Sequence, residues 1–340
     1  EVAVAGSLRR MRATIGDIDL LAAAEAPAAV MRAFVALPAV AEVILSGPTK
    51  TSVRLHNGLQ ADLRVLEPDR WGTALQYFTG SQAHNVRLRE LALKRGLSLS
   101  EYSLKREDGS EILCRNEAQV YETLGLPWIP PELREDQGEI QAAVAGELPG
   151  LVEREAIRGD LHVHTDWSDG TSSLAEMAEA ARELGYEYLV ISDHSQSLGI
   201  ARGLTAERQR EQRAEIDALN ERWSDFRLLQ GCELEIKADG SLDLPDDVLA
   251  RLDLVVASLH TSQRQDREQI TRRMLNAVTS PYVDVIGHPS GRILGQREES
   301  AVDLDAVIDA AAAAGTALEV NSTPSRLDLD DVHVRRAIRL

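Results

Sequence analysis

The 340-residue chain is poor in cysteine, has no excess of positive charge and contains no long apolar run. Two cysteines, Cys114 and Cys232, cannot build a disulfide framework, which points to a reducing compartment and a cytoplasmic protein. The most apolar stretch, Leu20 to Leu45, is broken by Glu25, Arg32 and Glu42. Nothing approaches the roughly 20 apolar residues that span a bilayer, so no membrane partner is expected. Lys and Arg total 37 against 55 Asp and Glu, a formal net charge of -18, which argues against coating nucleic acid by bulk charge. The charge is uneven: residues 1–115 hold 15 basic and 13 acidic residues, leaving 22 and 42 for residues 116–340. Internal repeats are missing, and the sole low-complexity tract is Ala310 to Ala314, within a helical stretch. What is present, 44% hydrophobic and 27% charged residues, suits about two globular domains.

The chain opens on Glu1 and a strand-like run, Val2 to Ala5, and closes on VHVRRAIRL, a helical pattern with no Gly or Pro stop. Truncation at both ends is the expectation. Residues 1–66 read as an α+β sheet unit, with strands at Thr14–Leu21, Ala41–Ser46, Thr51–Leu55 and Leu59–Leu66, and Asn57-Gly58 as a hairpin turn between the last two. Residues 67–125 read as mainly helical, with Ser81–Arg95 the clearest helix and a small β piece near Glu111–Cys114. Pro127, Pro130, Pro131 and Pro149 bracket an acidic helical segment, so 126–157 is predicted to be a linker. From 158 to 340, strands at Gly159–His164, Tyr188–Asp193, Arg227–Glu235, Leu252–Leu259, Val283–Gly287 and Ala317–Asn321 alternate with helices, the rhythm of parallel strands in a β/α barrel.

Two constellations carry chemistry. In GDIDLL, Asp17 and Asp19 stand two apart on a strand and share a face, where Asp62 of ADLRV can join them. Like charges in contact cost on the order of 4 kcal/mol at an effective dielectric of about 20, so a positive group must sit among them. Hard oxygen donors suit Mg²⁺ or Mn²⁺, and paired metals assist phosphoryl transfer. A plain alternative is a solvated strand end with Arg64 pairing Asp17 or Asp19. Just upstream, the turn at Gly6 and Ser7, flanked by Arg9 and Arg10, is small and basic enough to approach phosphate. The second constellation is a set of strand-end ligands: His162 and His164 in DLHVHTDWSDG, Asp169, His194 in SDH, Glu233 in GCELEI, His260 in SLH and His288 in GHP. Strand C-termini of a barrel open on one face, so these converge, and imidazole with carboxylate suits Zn²⁺, Mn²⁺ or Fe²⁺. Arg202 and Arg292 are candidates to bind a phosphate.

GSLRR, GDIDLL, ADLRV and YFTGSQAHNVRLR resemble the palm and thumb of family X DNA polymerases. Met11 departs from the glycine some relatives have there. DLHVHTDWSDG, SDH, ELEI, SLH and GHP resemble the polymerase-and-histidinol-phosphatase (PHP) domain, which the bacterial branch of family X carries after the thumb. The resemblance implies an α+β nucleotidyltransferase palm and helical thumb followed by a distorted, truncated β/α (TIM-like) PHP barrel. It implies that Asp17 and Asp19 hold both metals and that Asp62 holds the catalytic metal and helps deprotonate the primer 3′-hydroxyl. Gly6, Ser7 and Arg10 would grip the triphosphate. Tyr77, Phe78 and Gly80 would lie beside the deoxyribose, with Asn85 on the nascent pair and Arg89 on the DNA; packing is the simpler role for the aromatic pair. The implied partners are gapped or primer-template DNA and deoxynucleoside triphosphates, the implied activities gap filling and 3′-5′ exonuclease, and the expected state a monomer. The family's final Asp-x-His metal pair is missing, and His333, on a helix, is expected at the surface rather than in its place. The alternatives are a stand-alone PHP phosphoesterase and a non-catalytic DNA-binding scaffold.

Overall fold

The computed structural model describes residues 1–340, which form two compact units, Glu1–Leu151 and Val152–Leu340. The first unit opens with strand β1 (Val2–Val4), a single helical turn α1 (Gly6–Arg9), strand β2 (Asp17–Ala23) and helix α2 (Pro27–Val35). Strands β3 (Val40–Ser46), β4 (Lys50–Leu55) and β5 (Gln60–Leu66) follow. They make one sheet in the order β1-β2-β5-β4-β3, with β2 and β5 parallel and the other pairs antiparallel. Strand alternation divides the sheet's faces. Ala22, Val53, Ala61, Leu63 and Val65 are buried with Met31 and Phe34 of α2, whose first residue, Pro27, is a favoured helix opener. Leu21, of the same parity as Asp17 and Asp19, packs instead with Trp71 and Leu75. The turn expected at Gly6-Ser7 is thus one helical turn.

Helices α3 (Trp71–Thr79) and α4 (Gln82–Lys94) come next, Ser81 capping α4 by accepting the His84 amide at 3.2 Å. A three-stranded antiparallel sheet, β6 (Leu97–Leu99), β7 (Leu104–Arg106) and β8 (Glu111–Ile112), interrupts what reads as a helical domain. Its strands are too short to show a period. Helices α5 (Glu117–Thr123) and α6 (Glu139–Ala145) complete the unit.

Here the expected linker is corrected. Leu126, Ile129, Ile140 and Ala143 are buried in one cluster with Leu88, Leu104 and Tyr121, and Arg134 is fully buried. Pro127, Pro130 and Pro131 punctuate turns of a packed domain, whereas Pro149 and the rest of 149–157 are exposed. The first unit accordingly runs to Leu151, not to 125.

The second unit alternates strand and helix: β9 (Gly159–Val163), α7 (Leu174–Glu183), β10 (Tyr188–Ile191), α8 (Ala206–Asn220), β11 (Arg227–Glu235) and α9 (Asp246–Leu249). The pattern continues with β12 (Leu254–Ser258), α10 (Arg267–Val278), β13 (Val285–Ile286), α11 (Leu304–Ala314), β14 (Ala317–Leu318) and α12 (Asp331–Arg339). All six strands are parallel and neighbours in chain order, the order of a β/α barrel open between β9 and β14. Strand ends fall short of the sequence expectation, so His164, Asp193, Leu259 and Asn321 lie in the loops that leave the strands. No helix is long and apolar enough to cross a membrane.

Candidate metal centres

In the first unit, the parallel register sets Asp19 directly opposite Asp62, with Asp17 two residues back on the same strand. Burial, then the charges of Asp17 and Asp62, push the Asp19 carboxyl above its ordinary value. Burial also acts to raise Asp62, but hydrogen bonds from Lys50, Gln60 and Ser52 outweigh it and hold that carboxyl low. Lys50 Nζ lies 2.5 Å from Asp62 Oδ2, and Gln60 Nε2 donates to Oδ1 at 2.9 Å. The positive charge that the cluster demands is therefore a lysine of β4 here. The donor set of three carboxylates fits a hard divalent cation, which would compete with Lys50 for Asp62. Arg64, the plain alternative partner for Asp17 or Asp19, instead places its guanidinium 4.5 Å from the Phe78 ring centre.

Gly6 sits against this cluster in a left-handed conformation, φ +60°, and a Cβ there would stand 2.1 Å from Asp19 Oδ2. Only a glycine lets the α1 backbone approach the carboxylate so closely. Ser7 follows on α1, but Arg10 is not a free phosphate ligand: its Nε donates to Glu135 at 2.7 Å and its Nη1 to the Thr79 carbonyl at 2.6 Å. Gly80, also left-handed, borders that guanidinium, since a Cβ would lie 3.2 Å from Arg10 Nη1. Tyr77 and Phe78 are half-buried, edge to face at 5.1 Å. Asn85 is buried; it accepts from Gln76 at 2.8 Å and donates to the Tyr77 carbonyl at 2.7 Å, which makes it a brace for the Tyr77-Phe78 segment. Arg89 is exposed.

Sequence reasoning missed the clamp behind this site. Glu117, almost fully buried, accepts from Arg9 at 2.8 and 2.9 Å, from Arg134 at 2.5 Å and from Trp128 Nε1 at 2.8 Å. Burial opposes its ionisation, but the two guanidinium groups prevail and hold its carboxyl down at about 2. A Glu opening a helix after Asn116 reads as an ordinary first-turn acid, and nothing local announces a buried partner.

In the second unit, the seven strand-end residues do converge. Glu233, fully buried on β11, is the hub: His162 Nε2 lies 3.2 Å, His164 Nε2 3.3 Å and His194 Nδ1 3.0 Å from its Oε2. His260 Nε2 at 3.1 Å and His288 Nε2 at 2.8 Å face Oε1. Asp169 stands 3.5 Å from His194 Nε2 and 3.9 Å from His164 Nδ1. Three overlapping groups bring their donor atoms within 4.8 Å of one another: His162, His164 and Glu233; His164, Asp169 and His194; His194, Glu233 and His260. Nδ1 of His164 and of His288 is buried without a hydrogen bond. Buried polar atoms normally find partners, so imidazole nitrogens left open around a shared carboxylate fit a site for more than one cation.

Burial works against the His162 imidazolium, yet Glu233 and Glu319 push it up to about 10. His164, disfavoured by burial and by the charges of His194 and His162, falls to about 4 despite Glu233. Unlike shifts on neighbouring rings mark a cluster whose protons stand in for positive charge.

Three carboxylates behind the site escaped the sequence reading. Glu319 lies 2.7 Å from His162 Nδ1, and Glu235 2.8 Å from His260 Nδ1 while accepting the Thr261 amide and hydroxyl. Fully buried Asp193 accepts from the Thr165 amide at 2.8 Å, the Thr165 hydroxyl at 2.6 Å and Gln212 at 2.7 Å, and also from Ser168. It thereby fixes the loop that carries Asp169. Glu319 follows β14 as the histidines follow their strands, so the same strand-end rule applied to ALEVN finds it. Of the arginines expected to bind phosphate, Arg202 is exposed and Arg292 is spent on the Arg326 and Leu327 carbonyls and on Glu299 at 3.7 Å. His333 lies in the first turn of α12 against the capping Asp330, Nδ1 to Oδ1 2.8 Å, half-buried and apart from the donor groups.

Comparison with known proteins agrees with this division. Residues 74–135 match the DNA polymerase beta thumb family and residues 160–323 the PHP domain family. DNA polymerase/3′-5′ exonuclease PolX of Bacillus subtilis (strain 168) is 44% identical over 336 residues, 98% of this chain and 59% of that protein. A probable phosphatase of Thermoanaerobacter sp. (strain X514) is 32% identical over 169 residues, 48% of this chain and 64% of its own length. A crystal structure of Leishmania infantum polymerase beta, 25% identical, covers 40% of this chain and 67% of its own, with a TM-score of 0.35. The chain thus spans about three-fifths of the length of the curated relatives it matches. A segment like the polymerase beta thumb is thus followed by one like the PHP domain, and across almost its whole length the chain is similar to a bacterial DNA polymerase/3′-5′ exonuclease PolX.

Proposed function

We propose that the protein fills gaps in DNA from its first unit and removes 3′-terminal nucleotides at its second, each centre with its own divalent ions: Mg²⁺ or Mn²⁺ at the aspartates, Zn²⁺, Mn²⁺ or Fe²⁺ at the histidines. One observation carries this reading: each unit holds its own converging donor set, Asp19 against Asp62 in one and five histidines about Glu233 in the other. A stand-alone phosphoesterase would have no use for the first, and a scaffold would have no use for either. The proposed partners are primer-template or gapped DNA and deoxynucleoside triphosphates, acting on a monomer. The cytoplasm, where cysteines stay reduced, is the proposed location, and both cysteines are free and buried.

When bound, the cations would screen phosphate charge and favour displacement at phosphorus. The chain's own residues do the rest. Asp17, Asp19 and Asp62 hold the ions of the first centre, and Asp62, kept ionised by Lys50 and Gln60, can accept a hydroxyl proton at Oδ2 once Lys50 yields it. Gly6 and Ser7 present backbone to a triphosphate, and Arg10 joins them by exchanging Glu135 for phosphate. Tyr77 and Phe78, braced by Asn85, offer a sugar-facing wall. Arg89, exposed on α4, is the proposed DNA contact. In the second unit, His162, His164, Asp169, His194, Glu233, His260 and His288 hold the ions, and Glu319, Glu235 and Asp193 fix the rings and the loop that present them.

Two results are expected. Gly6→Ala combines a left-handed φ with a Cβ driven into Asp19, so single-nucleotide primer extension should fall on the order of 10²-fold, the effect of an ångström-scale misplacement, while 3′-terminal hydrolysis stays unchanged. Glu235→Gln removes the carboxylate that orients His260 and should weaken Mn²⁺ binding at the second centre by roughly 10–100-fold in calorimetric titration. The reading is tested by incubating the metal-loaded protein with a one-nucleotide-gapped duplex, with and without deoxynucleoside triphosphates. Extension with them and 3′ shortening without them supports it; neither product refutes it.

A further inference from the structure

Beside the histidine centre lies a groove of about 720 Å³ with no apolar side chain in its walls. One wall is the loop leaving β12 just after His260, with Ser262, Gln263 and Arg264; the other is the loop leaving β13 just after His288, with Gln296, Arg297 and Ser300. Both loops therefore start at residues that face Glu233, at 3.1 and 2.8 Å.

The walls are fixed before any ligand arrives. Arg273, itself buried, donates to the Ser262 carbonyl at 3.2 Å and to the Thr261 carbonyl at 3.1 Å. Gln263 Nε2 donates to the Leu259 carbonyl at 2.5 Å. Across the groove, buried Asp328 accepts the amides of Ser290 at 3.0 Å and Gly291 at 2.8 Å, while Ser300 returns to the Ser290 carbonyl through both its amide and hydroxyl. Arg297 Nε donates to the Gly291 carbonyl at 2.8 Å.

Both arginines of the groove lack a carboxylate partner. Arg264 makes no ion pair or hydrogen bond with any residue of the chain and is exposed. Arg297 has no carboxylate partner within salt-bridge distance; burial, then the charge of Arg326, disfavours its guanidinium, and Asp328 offsets part of this. The two acids of the wall are Glu299, offset by Arg292 at 3.7 Å, and Glu298, which is exposed. Amides, hydroxyls and guanidinium groups with no apolar or aromatic residue among them are wrong for a drug-like ligand and suit a phosphodiester backbone. The volume exceeds what one phosphate needs, so a strand whose phosphates meet Arg264 and Arg297 and whose sugars pass Glu298 suits it better than a single small ester.

We propose that this groove binds the backbone of the single nucleic-acid strand whose 3′ end enters the histidine centre, with Arg264 and Arg297 as its phosphate contacts. The assignment rests on reading that centre as a 3′-terminal hydrolase, and it makes the groove the feature that separates a polynucleotide from a small phosphate ester.

The test has two arms. Because Cys114 and Cys232 are buried, a Gln296→Cys protein can be labelled selectively with an aryl azide and irradiated with a radiolabelled single-stranded oligonucleotide in EDTA. A crosslink competed by unlabelled oligonucleotide but not by p-nitrophenyl phosphate is expected; no crosslink, or equal competition by the small ester, overturns the proposal. In the second arm, Arg264→Ala should raise KM for 3′-end hydrolysis about tenfold, the loss of one charge-assisted contact, and flatten the salt dependence by about 0.7 in logarithmic slope. Arg264→Lys should restore most of both, and p-nitrophenyl phosphate hydrolysis should not change. An unchanged KM and slope with hydrolysis intact overturns the groove alone. If the unsubstituted protein cleaves the small ester but no oligonucleotide, the hydrolase reading fails, and the crosslink still decides whether the groove holds a strand.

Discussion

Glu233→Gln is expected to lower 3′-terminal hydrolysis by more than about 10²-fold while leaving nucleotide incorporation close to that of the unsubstituted protein. Its carboxylate is fully buried and faces five imidazoles, through Oε2 for His162, His164 and His194 and through Oε1 for His260 and His288. Substituting a group that merely orients one ligand costs roughly 10–100-fold in metal affinity or activity. Glu233 is shared by two of the three donor groups, so its loss must cost more. Glutamine keeps the shape but offers a neutral oxygen and an amide that repels a cation. Metal content by atomic emission after dialysis checks the cause: the Glu233→Gln protein should retain less Zn²⁺ or Mn²⁺ than the unsubstituted protein. Hydrolysis within about tenfold of normal would remove Glu233 from the centre.

The second large effect is on stability. Glu117→Ala should destabilise the first unit by about 3–5 kcal/mol, because it strands the fully buried guanidinium of Arg134 without a counter-charge. For a unit of this size that is a fall in Tm of roughly 6–20 °C. The pH dependence gives an independent figure. The Glu117 carboxyl lies at about 2 in the fold against an ordinary 4.5, equivalent to roughly 3 kcal/mol at 1.36 kcal/mol per pH unit. A carboxyl held low when folded stabilises fully above its unfolded value, so this contribution is complete above about pH 4.5 and is lost as pH falls towards 2. Melting curves of Glu117→Gln and the unsubstituted protein should therefore differ most at neutral pH and converge in acid. Because Arg9 of the same clamp lies on α1 beside Gly6 and Ser7, primer extension should fall with it.

The sequence was most legible where one residue type recurs at one structural place. Each of the six strands of the second unit could be found from its apolar run, and the seven candidate ligands from the strand ends, because parallel strands force all such ends to one side. The register of Asp19 with Asp62 was readable only as a possibility of the strand pattern. Pairing across 43 positions is a tertiary fact, although the resemblance to family X anticipated it. The first part of the linker expected at 126–157 went wrong for a physical reason: prolines and acids mark a tether only when apolar residues between them are free, and Leu126, Ile129 and Ile140 are not, whereas 149–157 is exposed. Lys50 on Asp62, Glu235 behind His260 and the Glu117 clamp were invisible because each is a charged residue of ordinary appearance whose meaning lies in a partner distant in sequence. Arg10 shows the converse: a basic residue beside a glycine turn looked free for phosphate, while Glu135 already holds it.

The account stands on two separate centres in one chain, and separation of function measures that directly. On a one-nucleotide-gapped duplex, Asp62→Asn should lose incorporation with 3′-terminal hydrolysis retained within about twofold, and His162→Ala with His164→Ala should lose hydrolysis with incorporation retained. If either set of substitutions, in a protein that melts normally, abolishes both activities, the two-centre account is contradicted.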